Sequence, residues 1–191
     1  MDGRLENLLD RLFQGSRVQA EDFVRRQYRG VFRALYWLSG DSDRAGDLTQ
    51  ETFMRFWGSG ARFLGQCSAR TWLYSIMRNV WREQFGRPAV AELDETGLEQ
   101  LADPAPDPSE LALVRERAEL LRESVQQLAP NYREPLVLFC FEGLPHAEVA
   151  DILGISVELC RWRVHMAKRQ LWQRLKVVLQ ERKSSRGPTL E

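Results

Sequence analysis

Arg161, Arg163, His165, Lys168 and Arg169 fall within nine residues of one another, with Ser156 and Trp162 beside them. Cations at this density on a helical segment suit a nucleic-acid duplex. Long basic side chains anchor on phosphates while the residues between them meet base edges in the major groove. The stretch that must position them is AEVADILGISVELCRWRVHMAKR, residues 147–169. A short amphipathic helix over Ala147 to Leu153 meets Gly154, and Ser156 follows at an N-cap position of the basic helix. Glycine supplies the backbone freedom of a sharp turn, and a seryl oxygen accepts from the amides that open the next helix. Ala150 is small where the two helices cross, and Ile152, Leu153, Ile155 and Val164 fill the contact. This is the helix-turn-helix layout, which lays its second helix in DNA.

A second cationic set lies in residues 69–87, ARTWLYSIMRNVWREQFGR. Leu73, Ile76, Met77 and Val80 form an inward stripe, while Thr71, Ser75, Arg78 and Arg82 form a polar ridge among Trp72, Tyr74, Asn79 and Trp81. Arginines beside aromatic rings hold single-stranded nucleic acid, because rings stack on bases while the charge meets phosphate; each stacked base contributes about 1–3 kcal/mol. The bland alternative is that most of these aromatics are core, and Trp72 and Tyr74 are expected to be partly buried. A third helix carries DLTQETFMRFW, residues 47–57. At about 100° per residue, Asp47, Gln50, Glu51 and Met54 share one face, and Leu48, Thr52, Phe53 and Phe56 the opposite arc. Taken alone, this is a helix with one wet side.

Cys140, His146, Cys160 and His165 are zinc-ligand types within 26 residues. However, Cys160 and His165 point about 140° apart on a helix, and no CxxC or HxxxH pair exists. The favoured reading puts Cys140 in the core and His165 near a phosphate, with no metal. No nucleophile–base pair, phosphate-cradling glycine loop or carboxylate dyad suggests catalysis, and no residue set calls for a cofactor.

The elements behind these sets are helical throughout. A short helix is expected over 5–13, and Ser16 caps a longer one to about Leu38 with Phe23, Val31, Phe32, Leu35 and Leu38 inward. Gly40-Asp41-Ser42-Asp43 breaks it before a third helix over 43–57. Residues 58–67 form a loop, and Ser68 caps a helix from Ala69 to about Phe85. Residues 88–109 hold four prolines and many acids with few large apolar groups, the composition of a flexible linker. Ser109 then opens a helix to Leu128, with Leu111, Val114, Ala118, Leu121 and Val125 at helical spacing. A further helix spans Tyr132 to Phe141, and the basic helix runs on through Leu171, Leu175 and Leu179, fraying after Arg182.

The 191 residues suffice for one large or two small domains, and 43% hydrophobic with 28% charged residues is ordinary for a globular chain. The formal net charge of zero conceals segregation. Seven acids and no base lie between Ala89 and Ala112, whereas Ser156 to Arg186 holds nine Lys or Arg against two Glu. Two basic segments flanking an acidic one point to nucleic acid at two places. Three widely spaced cysteines make no disulfide framework, the acidic N-terminus is not a secretory signal, and no apolar run reaches about 20 residues. The expectation is a soluble cytoplasmic protein that does not insert in a membrane.

DLTQETFMRFW (47–57), FLGQCSARTWLYSIMRNVWREQFGR (63–87) and LAPNYREPLVLFCFEGLPHAEVADILGIS with its following basic helix (128–169) stand in a fixed order around the acidic linker. Together they resemble the extracytoplasmic-function (group IV) sigma factors of bacterial RNA polymerase, in the sigma-70 family, over roughly residues 16–180. The resemblance implies an all-α fold of two small helical domains: region 2 over 1–87, a linker over 88–108, region 4 over 109–182, then a disordered tail over 183–191. It implies that Asp47, Gln50, Glu51, Phe53 and Trp57 grip the clamp helices of the polymerase β′ subunit, with region 4 near the β flap. It implies that Arg62, Phe63, Trp72, Arg78, Asn79 and Arg82 melt and hold the −10 element. Ser156, Arg161, Trp162, Arg163, His165, Lys168 and Arg169 would serve the −35 element. An anti-sigma factor, often membrane-tethered, would hold such a protein near the inner membrane until a stress signal releases it. The chain departs from the family where Glu158 and Leu159 replace a Gly-Thr pair, Trp162 a serine and Met166 an arginine, so phosphate anchoring carries over better than base reading. The alternative is a helix-turn-helix regulator whose N-terminal domain binds a ligand or partner.

Overall fold

The computed structural model describes residues 12–59, 63, 65–85 and 108–185. Helix α1 is Arg17–Ser39 and opens on Ser16, whose hydroxyl accepts from the Gln19 amide. Gly40 closes it in the left-handed conformation, φ 78°. Helix α2, Ser42–Gly58, opens on Asp41, whose carboxylate accepts from the Arg44 amide at 2.8 Å. Helix α3, Ala69–Phe85, opens on Ser68, whose hydroxyl accepts from the Thr71 amide at 3.0 Å. A cap of this kind contributes about 1 kcal/mol.

The three helices meet through Val31, Ala34, Leu35 and Leu38 of α1, Leu48, Phe53 and Phe56 of α2, and Leu73, Tyr74, Met77 and Trp81 of α3. Burying each large apolar side chain contributes about 1.5–3 kcal/mol. Thr49 and Thr52 also face this core, and their hydroxyls donate to the Ala45 and Leu48 carbonyls, each at 2.6 Å. Two polar residues are thus buried without an unmet hydrogen bond.

The second group is α4 (Pro108–Gln126), α5 (Pro130–Leu136), α6 (His146–Leu153) and α7 (Val157–Ser185). A π-helical turn over Val137–Phe141 continues α5, with the Glu142 amide donating to the Val137 carbonyl at 3.2 Å. Among the described residues there is no strand, and no helix is long and apolar enough to cross a membrane. Helix α7 continues through Ser185, past the point where a frayed tail is expected. The helix expected over 5–13 and the linker expected over 88–108 fall almost wholly outside the described residues.

The two groups touch, which a reading as lobes on a loose tether does not anticipate. Trp37 of α1 stacks on Phe141 at 4.2 Å, 11° from parallel. Arg33 forms an ion pair with Glu142 at 2.8 Å, and Arg78 with Glu134 at 2.8 Å. One continuous set of buried apolar residues runs through both groups.

Candidate nucleic-acid interface

Gly154, at φ 64° and ψ 40°, turns the chain between α6 and α7, and its amide donates to the Ala150 and Asp151 carbonyls. A left-handed residue at a helix C-terminus places amides over carbonyls that would otherwise lack donors. The Ile155 amide adds a bond to the Ala150 carbonyl at 3.1 Å. Ser156 then caps α7, its hydroxyl accepting from the Leu159 amide at 3.2 Å. Val149, Ala150, Ile152, Leu153, Cys160, Val164 and Ala167 are buried between the helices. That burial leaves Arg161, Trp162, His165, Lys168 and Arg169 exposed on α7, with Arg163 half-buried. Among the described residues none of these cations forms an ion pair with a carboxylate.

Trp162 is 51% exposed, with its ring tilted 6.0 Å from Tyr132. Lys168 places its ammonium 5.0 Å from the centroid of the Phe139 ring. His146 stacks on that same ring at 4.0 Å. Burial, with Arg161 and Lys168 close by, holds its imidazole below the usual histidine range.

The cysteines are placed differently from the sequence reading. Cys160 is buried, 3.8 Å from His146 Nδ1, and Cys140 is exposed rather than core. Cys140 stands within the π-helical turn over Val137–Phe141. No group of three or more metal-ligating side chains gathers among the described residues.

On α3, Thr71 is buried at the start of the helix rather than on the polar ridge, and Tyr74 and Trp81 are core. Trp72 is half-buried and donates from its indole to the Ser59 hydroxyl at 3.1 Å. Phe63 packs at 5.8 Å behind Trp72 and is only 4% exposed, so it offers no free ring face to a base here. Asn79 is exposed, and Arg62 lies outside the described residues. Arg78 and Arg82 share one carboxylate, that of Glu134, at 2.8 and 2.9 Å. Of the expected ridge, Arg78 and Arg82 both face the second lobe.

On α2, Asp47 and Gln50 are exposed, and Glu51 pairs with Arg55 at 2.6 Å. Arg55 also reaches Glu83 of α3 at 2.6 Å. Phe53 is buried and stacks on Tyr28 at 5.8 Å. Trp57 lines an open groove with Glu21, Val24, Arg25 and Tyr28, and Met54 beside it is 70% exposed. Sequence reasoning omits Tyr28 and Val24 from this surface. The available signal is a lone aromatic in the otherwise polar run RRQYRG.

Residues 23–87 match sigma-70 region 2, and residues 118–171 match sigma-70 region 4. The RNA polymerase sigma factor YlaC of Bacillus subtilis is 30% identical over 157 residues, which cover 81% of this chain and 91% of that one. The ECF RNA polymerase sigma factor SigC of Mycobacterium tuberculosis is 32% identical over 155 residues, 81% of this chain and 82% of its own. In fold, the chain is similar to the sigma factor RpoE in its co-crystal structure with the anti-sigma factor NepR from Bartonella quintana. The TM-score is 0.67 at 20% identity, over 83% of this chain and 98% of that one.

Proposed function

Because the chain belongs to the extracytoplasmic-function sigma factors of the sigma-70 family, we propose specific surfaces for its work with RNA polymerase and promoter DNA. Family membership displaces the alternative of a regulator with an N-terminal ligand-binding domain, since residues 23–87 are themselves sigma region 2. The α2 face with Asp47, Gln50 and Glu51, backed by Phe53 and Trp57, docks on the β′ clamp helices, while region 4 lies near the β flap. Helix α3 holds the melted −10 strand through Trp72, Arg78, Asn79 and Arg82, with Arg62 adjacent and Phe63 fixing the Trp72 ring from behind. Extruding a base costs a few kcal/mol, which stacking and phosphate contacts offset.

Helix α7 reads the −35 element. Ser156 sets its start, Arg161, Arg163, His165, Lys168 and Arg169 meet phosphate, and Trp162 presents an apolar edge. An anti-sigma factor, membrane-tethered or not, holds the protein in the cytoplasm of its bacterium until a signal frees it.

The single observation that carries this reading is the α7 face, where cations stand in solvent without carboxylate partners among the described residues. Each phosphate contact releases condensed counterions, so log Kd varies with log salt in proportion to the number of contacts. Replacing Arg161 and Arg163 with alanine in the reconstituted holoenzyme should reduce that slope for duplex promoter binding by about 1.8. An unaltered slope would move the −35 contact off α7.

A further inference from the structure

We propose that α7 holds promoter DNA at a second place: Trp172, between Arg169 and Lys176, packs on the sugar–phosphate backbone bordering the −35 element. This site rests on the placement of α7 in that element and extends it past residue 171, where the match to sigma-70 region 4 ends. Helix α7 itself runs on to Ser185. The part beyond residue 171 adds about 21 Å of rod that reading the element does not require.

The roll of this extension is fixed from the inside. Cys160, Val164 and Ala167 are buried, and Leu171 continues their line against the core. Arg174 donates to the side chain of Gln127, just past α4. Trp172 is thereby turned to solvent, 71% exposed, with Lys176 exposed beside it. At about 100° per residue, Trp172 and Lys176 share an arc of about 80° with Arg161, His165 and Lys168. No Asp or Glu lies between Glu158 and Glu181. Among the described residues neither Arg169 nor Lys176 forms an ion pair with a carboxylate. A lone apolar side chain on a surface needs no partner. What distinguishes Trp172 is its position, on the centre line of an acid-free cationic stripe continuous with the DNA-reading face.

Length identifies the part of the duplex that it meets. A recognition helix enters the major groove with its N-terminal residues, and that groove is about 12 Å wide. Trp172 lies about 16 Å along the axis from Arg161, and Lys176 about 22 Å. Both therefore stand past the groove edge, where DNA presents deoxyribose and phosphate rather than base edges. Indole suits that boundary: its ring covers the apolar face of a sugar while its N–H donates to a phosphate oxygen. Arg169 and Lys176 bracket the ring with charge that phosphates attract. Such a contact is indifferent to base sequence, so it tightens binding without changing which element is read.

The test uses holoenzyme reconstituted with the full chain as wild type, Trp172→Ala or Lys176→Ala, on a duplex promoter drawn from its own start sites. Both positions are exposed, and circular dichroism checks the fold. Hydroxyl-radical footprinting reads the sugars, and titrations between about 50 and 200 mM salt read affinity and its slope. Wild type should protect the upstream element and the sugars immediately beside it. Trp172→Ala should lose only the flanking protection and bind about tenfold more weakly. Its salt slope should not change, because a neutral ring releases no counterion, whereas Lys176→Ala should flatten the slope by about 0.9. A Trp172→Ala holoenzyme with wild-type footprint and affinity would overturn the second contact. So would weaker assembly with core polymerase at unchanged promoter affinity, which would give the indole to a protein partner. A wild type that leaves the upstream element unprotected would remove the −35 assignment beneath it.

Discussion

Glu142 has burial and an ion pair pulling its proton affinity in opposite directions. Burial dominates, so its carboxyl titrates above the usual range despite Arg33 and the Tyr74 hydroxyl. A group whose pKa is higher folded than unfolded binds its proton more tightly when folded. Its contribution to stability is therefore fullest below the unfolded pKa and is lost as pH rises through the folded one. Urea unfolding of wild type and Glu142→Gln between pH 4 and 8 should show wild type losing ground to the variant as pH climbs. A constant difference would contradict the burial of this carboxylate. Neither Glu134 nor Glu142 stands out in the sequence, where each reads as an acid bordering an apolar helix. Their partners lie 56 and 109 residues away, and no local spacing encodes such a pairing. Arg161, His165 and Lys168 are the opposite case. Helical spacing alone puts them on one face, and they are exposed as that spacing requires.

At the level of elements, chain punctuation is legible wherever it is local. Ser16, Ser68 and Ser156 cap the helices assigned to them, and Gly154 turns between α6 and α7 as expected. Gly154 also separates backbone strain from packing, since a Cβ there would meet nothing within 4 Å. Gly154→Ala should cost about 1–2 kcal/mol of unfolding free energy, from the left-handed conformation alone. Helix content by circular dichroism should stay unchanged, whereas a neutral or stabilising substitution would refute the left-handed turn. The π-helical turn over Val137–Phe141 is not legible, because the apolar run VLFCF satisfies both normal and widened helical bonding. Phe141, the last residue of that turn, stacks on Trp37.

For the whole molecule, the order of segments and the division of charge identify two helical lobes with a basic surface on each. The contact between lobes is absent from that reading, because a net charge of zero and a proline-rich acidic stretch describe a tether equally well whether the lobes meet or not. The arrangement resolves the apparent neutrality. Arg33, Arg78 and Arg82 of the first lobe pair with Glu134 and Glu142, while the cations of α7 form no ion pair with a carboxylate among the described residues. The central claim is that one chain directs polymerase to paired promoter elements through two surfaces. Its most direct test is run-off transcription by core polymerase plus this protein on fragmented genomic DNA from its own bacterium, with the RNA 5′ ends sequenced. The account predicts start sites preceded by two shared sequence blocks at a fixed spacing, with the upstream block losing its influence when Arg161 and Arg163 are replaced by alanine. Start sites lacking any shared blocks, or no more numerous than with core polymerase alone, would contradict it.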